Sequence, residues 1–265
     1  MTGSRLCNWS DFETHEFAAT MAGLGHPFLA HRKLWEEAAI IGAITKQIGQ
    51  EDWLNKDGCG FGVGTEPLPS FFSEKLWHVL ATDQAPGGEA DVWNEGDQLC
   101  RGKESLYREF CPQWAFDSHL TFRRVDMRQI PPDLGTFDFL WSSSSLEHLG
   151  SLEAGLAFLV ESSRLLKPGG VAAHTTEFNL TSNDRTHDRG DVVVYRRRDI
   201  ETLPDRLAAV GCTLDPVDWS LGDHEMDRLI DPMNGGNQDG KHVHLKLQLG
   251  EFAITSLLLV IRRPA

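Results

Sequence analysis

Between Gly58 and Leu68 the chain reads Gly-Cys-Gly-Phe-Gly-Val-Gly-Thr-Glu-Pro-Leu, with glycine at alternate positions up to Gly64. Glycines so spaced let backbone turn sharply and pass very close to a ligand. In an open α/β sheet, such a loop falls where a strand hands over to a helix, at the carboxyl edge where ligands bind. The same residues would also serve a plain strand-to-helix turn, so the flanking segments have to decide.

Those segments alternate between strand and helix patterns. From Lys33 to Ile48, Leu34, Ala38, Ile41, Ile44 and Ile48 recur at helical spacing. Glu36, Glu37, Lys46 and Gln47 lie mostly off that stripe, and Gly49 is a stop. A short strand is expected to end in the run Gly58 to Gly64, followed by a helix from Pro67 to Lys75 and a buried strand from Leu76 to Thr82. Residues 84 to 118 read as loops and a helix. Strands are expected at Leu120–Val125 and Phe137–Trp141, a helix at Leu152–Leu166 closed by Lys167-Pro168-Gly169-Gly170, and a strand at Val171–Thr175. Asp199–Val210 reads as a helix with Gly211 past its end. His242–Leu249 and Phe252–Ile261 read as a hairpin across Gly250-Glu251. This βαβα order, closing on an antiparallel pair, predicts an α/β fold: a doubly wound, mainly parallel sheet.

Composition bounds the partners. The 265 residues suit one large domain, and 40% hydrophobic content is ordinary for a soluble protein. No apolar run approaches a membrane span. Met1 to Phe17 is polar and mixed in charge, unlike a secretory signal, so a cytoplasmic protein without a membrane partner is expected. A net charge of −14 argues against nucleic acid as partner, because phosphate neutralisation needs a basic face. The one basic cluster, Arg196-Arg197-Arg198 preceded by Arg185 and Arg189, reads as a solvated helix start with local salt bridges, or as a site for an anionic substrate group. Cys7, Cys59, Cys100, Cys111 and Cys212 are odd in number without C-x-x-C spacing, which fits reduced thiols better than disulfides or zinc.

Three features carry chemistry. A dinucleotide fingerprint needs G-x-G-x-x-G, but counting from Gly58, Gly60 or Gly62 puts Val63, Thr65 or Pro67 in the last slot. The next helix also opens with Glu66, whose carboxylate would repel a pyrophosphate at a helix N-terminus. A cationic, phosphate-free ligand meets no such objection. Asp83 ends the following strand roughly 20 residues after the loop, the spacing at which a carboxylate meets ribose hydroxyls; a turn-forming Asp is the plainer reading. Asp126-Met127 stands at another strand end, where Asp can accept from an adenine amino group and Met can cover the ring, or where Asp caps a turn.

Together these residues resemble the class I S-adenosylmethionine-dependent methyltransferases. The glycine loop looks like their first motif, Asp83 like their ribose acid and Asp126-Met127 like their adenine contact. Phe137-Asp138-Phe139-Leu140-Trp141-Ser142-Ser143 is similar to the fourth-strand motif, and Leu165-Leu166-Lys167-Pro168-Gly169-Gly170 to the turn before the fifth strand. The resemblance implies a seven-stranded sheet with helices on both faces and an antiparallel C-terminal strand. Residues 51–265 would form the Rossmann-like domain and residues 1–50 a helical extension or lid. It also implies S-adenosylmethionine as cofactor, held by Gly60, Gly62, Gly64, Glu66, Asp83, Asp126, Met127 and Ser142. The chain departs from the family at Asn55-Lys56-Asp57, where an apolar strand ending in an acid is usual. Two glycine registers follow, one on Gly58, Gly60 and Gly62, the other on Gly60, Gly62 and Gly64. The second is preferred because it sets Leu68 and Phe72 into the helix core, and Glu66 then becomes the candidate for the cofactor's amino group.

The acceptor is less legible. Ser142-Ser143-Ser144-Ser145-Leu146-Glu147-His148-Leu149 follows the fourth-strand motif, in a region that borders the methyl-transfer site of the family. His148 is a candidate base and Glu147 its catalytic neighbour; the alternative is that the pair caps the next helix or braces the sheet. A similar Glu-His pair holds a metal in some small-RNA 2′-O-methyltransferases, but Ser144 stands where a further ligand would be and His174 and His187 are candidates at best for another, so no metal is expected. His242 and His244 share a strand face and read as structural. The expected function is O-methylation of a small-molecule acceptor, a sugar or metabolite hydroxyl. The alternatives are an NAD-dependent epimerase or reductase, disfavoured by the absent fingerprint, and a non-catalytic binding module.

Overall fold

The computed structural model describes residues 2–49, 55–75, 77–87, 99–232 and 243–265. Leu76 and His242, which the sequence placed in strands, lie outside these. The strands are β1 (Arg5–Leu6), β2 (Asp57–Phe61), β3 (His78–Asp83), β4 (Leu120–Arg124), β5 (Phe137–Ser142), β6 (Leu166–Asn179), β7 (Thr213–Leu214), β8 (Asp231–Pro232), β9 (Lys246–Leu249) and β10 (Phe252–Arg262). The helices are α1 (Trp9–Phe12), α2 (His15–Leu24), α3 (Arg32–Ile48), α4 (Leu68–Glu74), α5 (Gln113–His119), α6 (Leu152–Ser163), α7 (Arg197–Ile200) and α8 (Leu203–Ala208).

They build one mixed sheet in the order β4-β3-β2-β5-β6-β10-β9-β8, with β1 and β7 also paired to β10. From β4 to β6 the pairs are parallel, and β10 is antiparallel to both β6 and β9. The expected seven strands are present. The sheet exceeds seven because β1, β7 and β8, each two residues long, add short pairings at its far side.

Period-two alternation sorts the strand residues onto two faces. Val79, Ala81, Phe139, Trp141, Val171 and Ala173 face one core with Trp35, Ile40, Phe72 and Phe116 from helices α3, α4 and α5. Cys59, Phe61, Leu140, Ala172, Leu257 and Leu259 face the other, with Leu156 and Leu159 of α6 and Leu207 of α8. The N-terminal segment joins the first core through Phe12, Phe17 and Trp35, all at most 1% exposed.

The polar, glycine-rich character of β2 has a packing cause. A Cβ on Gly58 would sit 2.1 Å from the Phe139 ring, and one on Gly60 would sit 2.3 Å from Trp141. The strand gives up side chains so that two aromatic rings of β5 can lie across it. Asp57, at its start, is held at the opposite end of the sheet from the glycine turn by Lys167, 2.6 Å away.

Two expectations change. The expected turn at Lys167–Gly170 is absorbed into β6 as a bulge, the register jumping from Phe137–Leu166 to Phe139–Val171. Beyond it β6 runs on to Asn179, well past Thr175, because β10 pairs with it along its length. The expected helix Asp199–Val210 is broken into α7 and α8. Pro204 is the cause: it has no N–H to donate and its ring would clash with the carbonyl a turn earlier. Arg196, Arg197 and Arg198 pair with Asp199, Glu201 and Asp184, matching the local salt-bridge reading.

Candidate active site

A cleft of about 720 Å³ opens across the carboxyl ends of the parallel strands. On the β4-β3-β2 side its walls are Gly62, Val63, Gly64, Glu66, Asp83, Leu99, Val125, Asp126 and Met127. The backbone explains the glycines. The strand stops at Phe61, and Gly62 and Gly64 take φ of +58° and +49°, values that L side chains rarely adopt. A Cβ on Gly62 would also meet Ser145 at 2.8 Å and Met127 Sδ at 3.1 Å. Gly60 sits one step back inside the strand, under Trp141, and is not part of the cleft wall.

Asp83 ends β3, only 6% exposed. Its carboxylate accepts from the amides of Gln84 and Cys100, both at 2.8 Å. Burial raises its pKa, against these amides and Arg124. Leu99, Val125 and Met127 give this side an apolar lining. Asp126 is more open: Arg128 bonds it through its amide (2.8 Å) and through Nε and Nη2 (3.1 Å each). Burial pulls the Asp126 carboxyl up, but these bonds outweigh it and hold it below the usual range.

Glu66 accepts a hydrogen bond of 2.6 Å from Trp141 Nε1. Burial pushes its carboxyl well above the ordinary value. Glu37, beside it on the cleft wall, is raised for the same reason and is paired at 3.1 Å with His26. Arg108 completes this corner, donating to the carbonyl of Thr65.

On the β6-β10-β9 side the walls are Arg32 and Lys33 of α3, Ser143, Ser144, His148, Glu177, Val192, Leu247, Leu249 and Ile254. Here the sequence reading missed most of the chemistry. Glu36, expected on the polar face of its helix, is fully buried. One of its oxygens accepts from Ser144 (2.7 Å), Thr175 (3.1 Å) and Ser143 (3.3 Å). The other faces Lys33 at 3.1 Å and Arg32 at 3.5 Å and accepts from Ser256. Arg32 also reaches Glu177 at 2.7 Å and Ser256 at 3.1 Å. The only hint in the sequence is that Arg32, Lys33, Glu36 and Glu37 crowd the first turns of α3. The partners come from the turn after β5, from β6 and from β10, more than a hundred residues away, so spacing could not reveal them.

His148 ends the short turn Leu146–His148 after β5 and lies on the cleft wall. Its Nδ1–H donates to the carbonyl of Asp191 at 2.7 Å. Burial lowers its pKa below the ordinary imidazole value, with the Asp191 bond opposing. Glu147 turns into the core. It is fully buried, accepts from Thr176 Oγ1 at 3.1 Å, and burial plus the nearby Glu177 push its pKa up to about 8. Ser142 is also fully buried, 2.8 Å from His174 Nδ1, behind the cleft wall. Among the described residues no group of three or more His, Cys, Asp or Glu is placed to hold a metal ion. His244 stacks on His31 at 4.7 Å and bonds Asp231 at 2.9 Å. No helix among the described residues is long and apolar enough to cross a membrane.

Residues 56–174 match the family model described as "Methyltransferase domain". No curated protein matches the chain significantly. Among solved structures, the magnesium protoporphyrin IX methyltransferase of Synechocystis PCC 6803, with SAH bound, shares 11% identity over 84% of this chain and 81% of its own, at a TM-score of 0.49. An S-adenosylmethionine-dependent methyltransferase from Mesorhizobium loti shares 15% over 86% of this chain and 100% of its own, also at 0.49. The chain spans only 59% of a protein from Galdieria sulphuraria described as a sarcosine dimethylglycine methyltransferase, at 18% identity over 76% of this chain and a TM-score of 0.40. From Lys56 to His174, the stretch that holds the glycine turn and strands β2 to β5, the chain carries a methyltransferase domain.

Proposed function

We propose that the enzyme methylates a hydroxyl of a small-molecule acceptor, a sugar or another metabolite, with His148 as general base. The observation that carries this reading is the position of His148: it shares one cleft with Asp83, Gly62 and Met127, and its ring is oriented by Asp191. Because Nδ1 donates to a carbonyl, the lone pair of the neutral ring lies on Nε2. Burial keeps the imidazole neutral near pH 7, which is the form that can take a hydroxyl proton.

The donor set suits the cofactor. Glu66 and Glu37 are partly buried carboxyls whose pKa is raised by desolvation, and an ammonium or sulfonium bound beside them would favour their charged form. In this reading Asp83 takes the ribose hydroxyls, Asp126 and Met127 meet the adenine, and Glu66 meets the amino group. Gly62 and Gly64 leave room for the backbone to approach; Gly60 and Ser142 support them from behind. The bound cofactor supplies an activated methyl group. The chain's part is to align the acceptor for in-line displacement, exclude water and receive the proton at His148. Glu147 braces the turn that carries His148, through its bond to Thr176.

Labelled S-adenosylmethionine offered with a metabolite pool tests the reading. Label should appear in small hydroxylated compounds, and base-stable ethers should be the products. Label confined to nucleic acid or protein added in parallel would overturn it.

A further inference from the structure

The β6-β10-β9 half of the cleft looks at first like an anion site, since Arg32 and Lys33 both line it. Their hydrogen bonds and ion pairs reverse that impression. Lys33 Nζ has three protons, and its partners are Ser144 Oγ, Glu177 Oε1 (3.3 Å) and Glu36 Oε1 (3.1 Å). Arg32 lies against Glu177 and Glu36. Two cations therefore face two carboxylates. Glu147, with its pKa pushed up to about 8, adds no charge at neutral pH. Among the described residues of this network three buried atoms lack partners: Arg32 Nε, Glu147 Oε1 and Glu177 Oε2.

The serines on the wall have spent their protons as well. Ser143 and Ser144 both donate to Glu36 Oε2, and Ser145 donates to the carbonyl of Gly62 at 2.9 Å. A hydroxyl whose proton is committed can only accept. The cleft thus offers lone pairs at Ser143 Oγ and Ser144 Oγ. Ser144 is held there in a left-handed conformation, φ +45°, with its amide bonded to Thr175. A non-glycine residue kept in that region marks a site where geometry outweighs local strain. Val192, Leu247, Leu249 and Ile254 give the same cleft an apolar lining.

We infer that this half of the cleft selects an uncharged, hydroxyl-bearing acceptor with an apolar flank, and that Glu36 sets the choice by holding the protons of Ser143 and Ser144. The inference rests on the reading of the enzyme as a small-molecule O-methyltransferase. Among the described residues of this half, a carboxylate or phosphate on the acceptor would meet committed hydroxyls and cations already paired with Glu36 and Glu177, and its desolvation would go unrewarded. Glu36 touches no acceptor; it is a positioning residue acting through the serines.

A matched pair of probes tests this. p-Nitrophenyl β-D-glucopyranoside and p-nitrophenyl β-D-glucuronide differ only in a hydroxymethyl against a carboxylate. Each is titrated calorimetrically into the enzyme, free and saturated with S-adenosylhomocysteine. The glucoside should bind ~10-fold or more tightly than the glucuronide, the scale of one unpaired charge on entering a site. Glu36→Gln leaves Arg32 and Lys33 facing the single carboxylate of Glu177, so one positive charge is unbalanced and the preference should collapse or reverse. The inference is overturned if the wild type prefers the glucuronide, if the glucoside does not bind, or if Glu36→Gln leaves the ratio unchanged. Should Glu36→Gln not fold, Ser143→Ala and Ser144→Ala take its place. Each should weaken the glucoside several-fold with S-adenosylhomocysteine affinity intact, and unchanged glucoside affinity in both overturns the inference. S-Adenosylhomocysteine binding is read separately, so a defect in the cofactor half is told apart from a wrong acceptor class.

Discussion

The two halves of the cleft are built on different principles. On the β4-β3-β2 side Gly62, Val63, Gly64, Asp83, Val125, Asp126 and Met127 stand at or just past the end of a strand, and backbone geometry does most of the shaping: positive φ at Gly62 and Gly64, and amide bonds to Asp83. On the β6-β10-β9 side a network of side chains from α3, β5, β6 and β10 shapes the wall, with Glu36 at its centre. The first arrangement is local and tolerates changes elsewhere in the molecule. The second holds only if every partner is present, because a buried charge that loses its partner is costly.

Substitutions can break this contrast. The largest effect is expected from Gly62→Val: cofactor binding should be lost, by ~100-fold or more, since a branched side chain is strained at positive φ and intrudes on Ser145 and Met127. Calorimetry with S-adenosylhomocysteine measures it, and unchanged affinity would move the cofactor away from the glycine turn.

Next in size, His148→Ala should lower turnover by ~100-fold, the scale of a lost general base, with cofactor affinity unchanged. Because burial lowers the imidazole pKa, wild-type turnover should hold through pH 6.5 and fall only on further acidification, as His148 gains its proton. Loss of melting temperature with normal turnover in the folded fraction would leave His148 a structural residue. Asp83→Ala should weaken cofactor binding by ~1–3 kcal/mol while the fold persists. Full affinity in that variant would remove the ribose assignment.

The smallest effect belongs to Glu147→Gln. Its folded pKa of about 8 lies above the ordinary carboxyl value, so the protonated form is the one the fold prefers. The stability this gives is complete below the unfolded pKa and is lost as pH rises through 8. Glu147→Gln should therefore raise the melting temperature at pH 9 by a few degrees and change it little at pH 5. The same shift at both values would mean that Glu147 does not titrate in this range.

Much of this protein was determined by sequence alone, and where it was, the reason is locality. Strand and helix periods, the Gly58–Gly64 run and the strand-end acids Asp83 and Asp126 are each written in a few consecutive residues, so the doubly wound sheet and the methyltransferase domain could be read directly. Pro204 lay within the expected helix Asp199–Val210, and its break there is just as local. Other features needed the folded chain. The length of β6 depends on pairing with β10, more than seventy residues later. The glycines of β2 depend on the aromatic rings of β5 beneath them. Glu36 reads as a solvated helix residue until Ser143, Ser144, Thr175 and Ser256 are brought around it. Helical period shows which side of α3 is apolar, but a carboxylate is buried or exposed according to what the rest of the chain places against it, and that is settled only when distant partners meet.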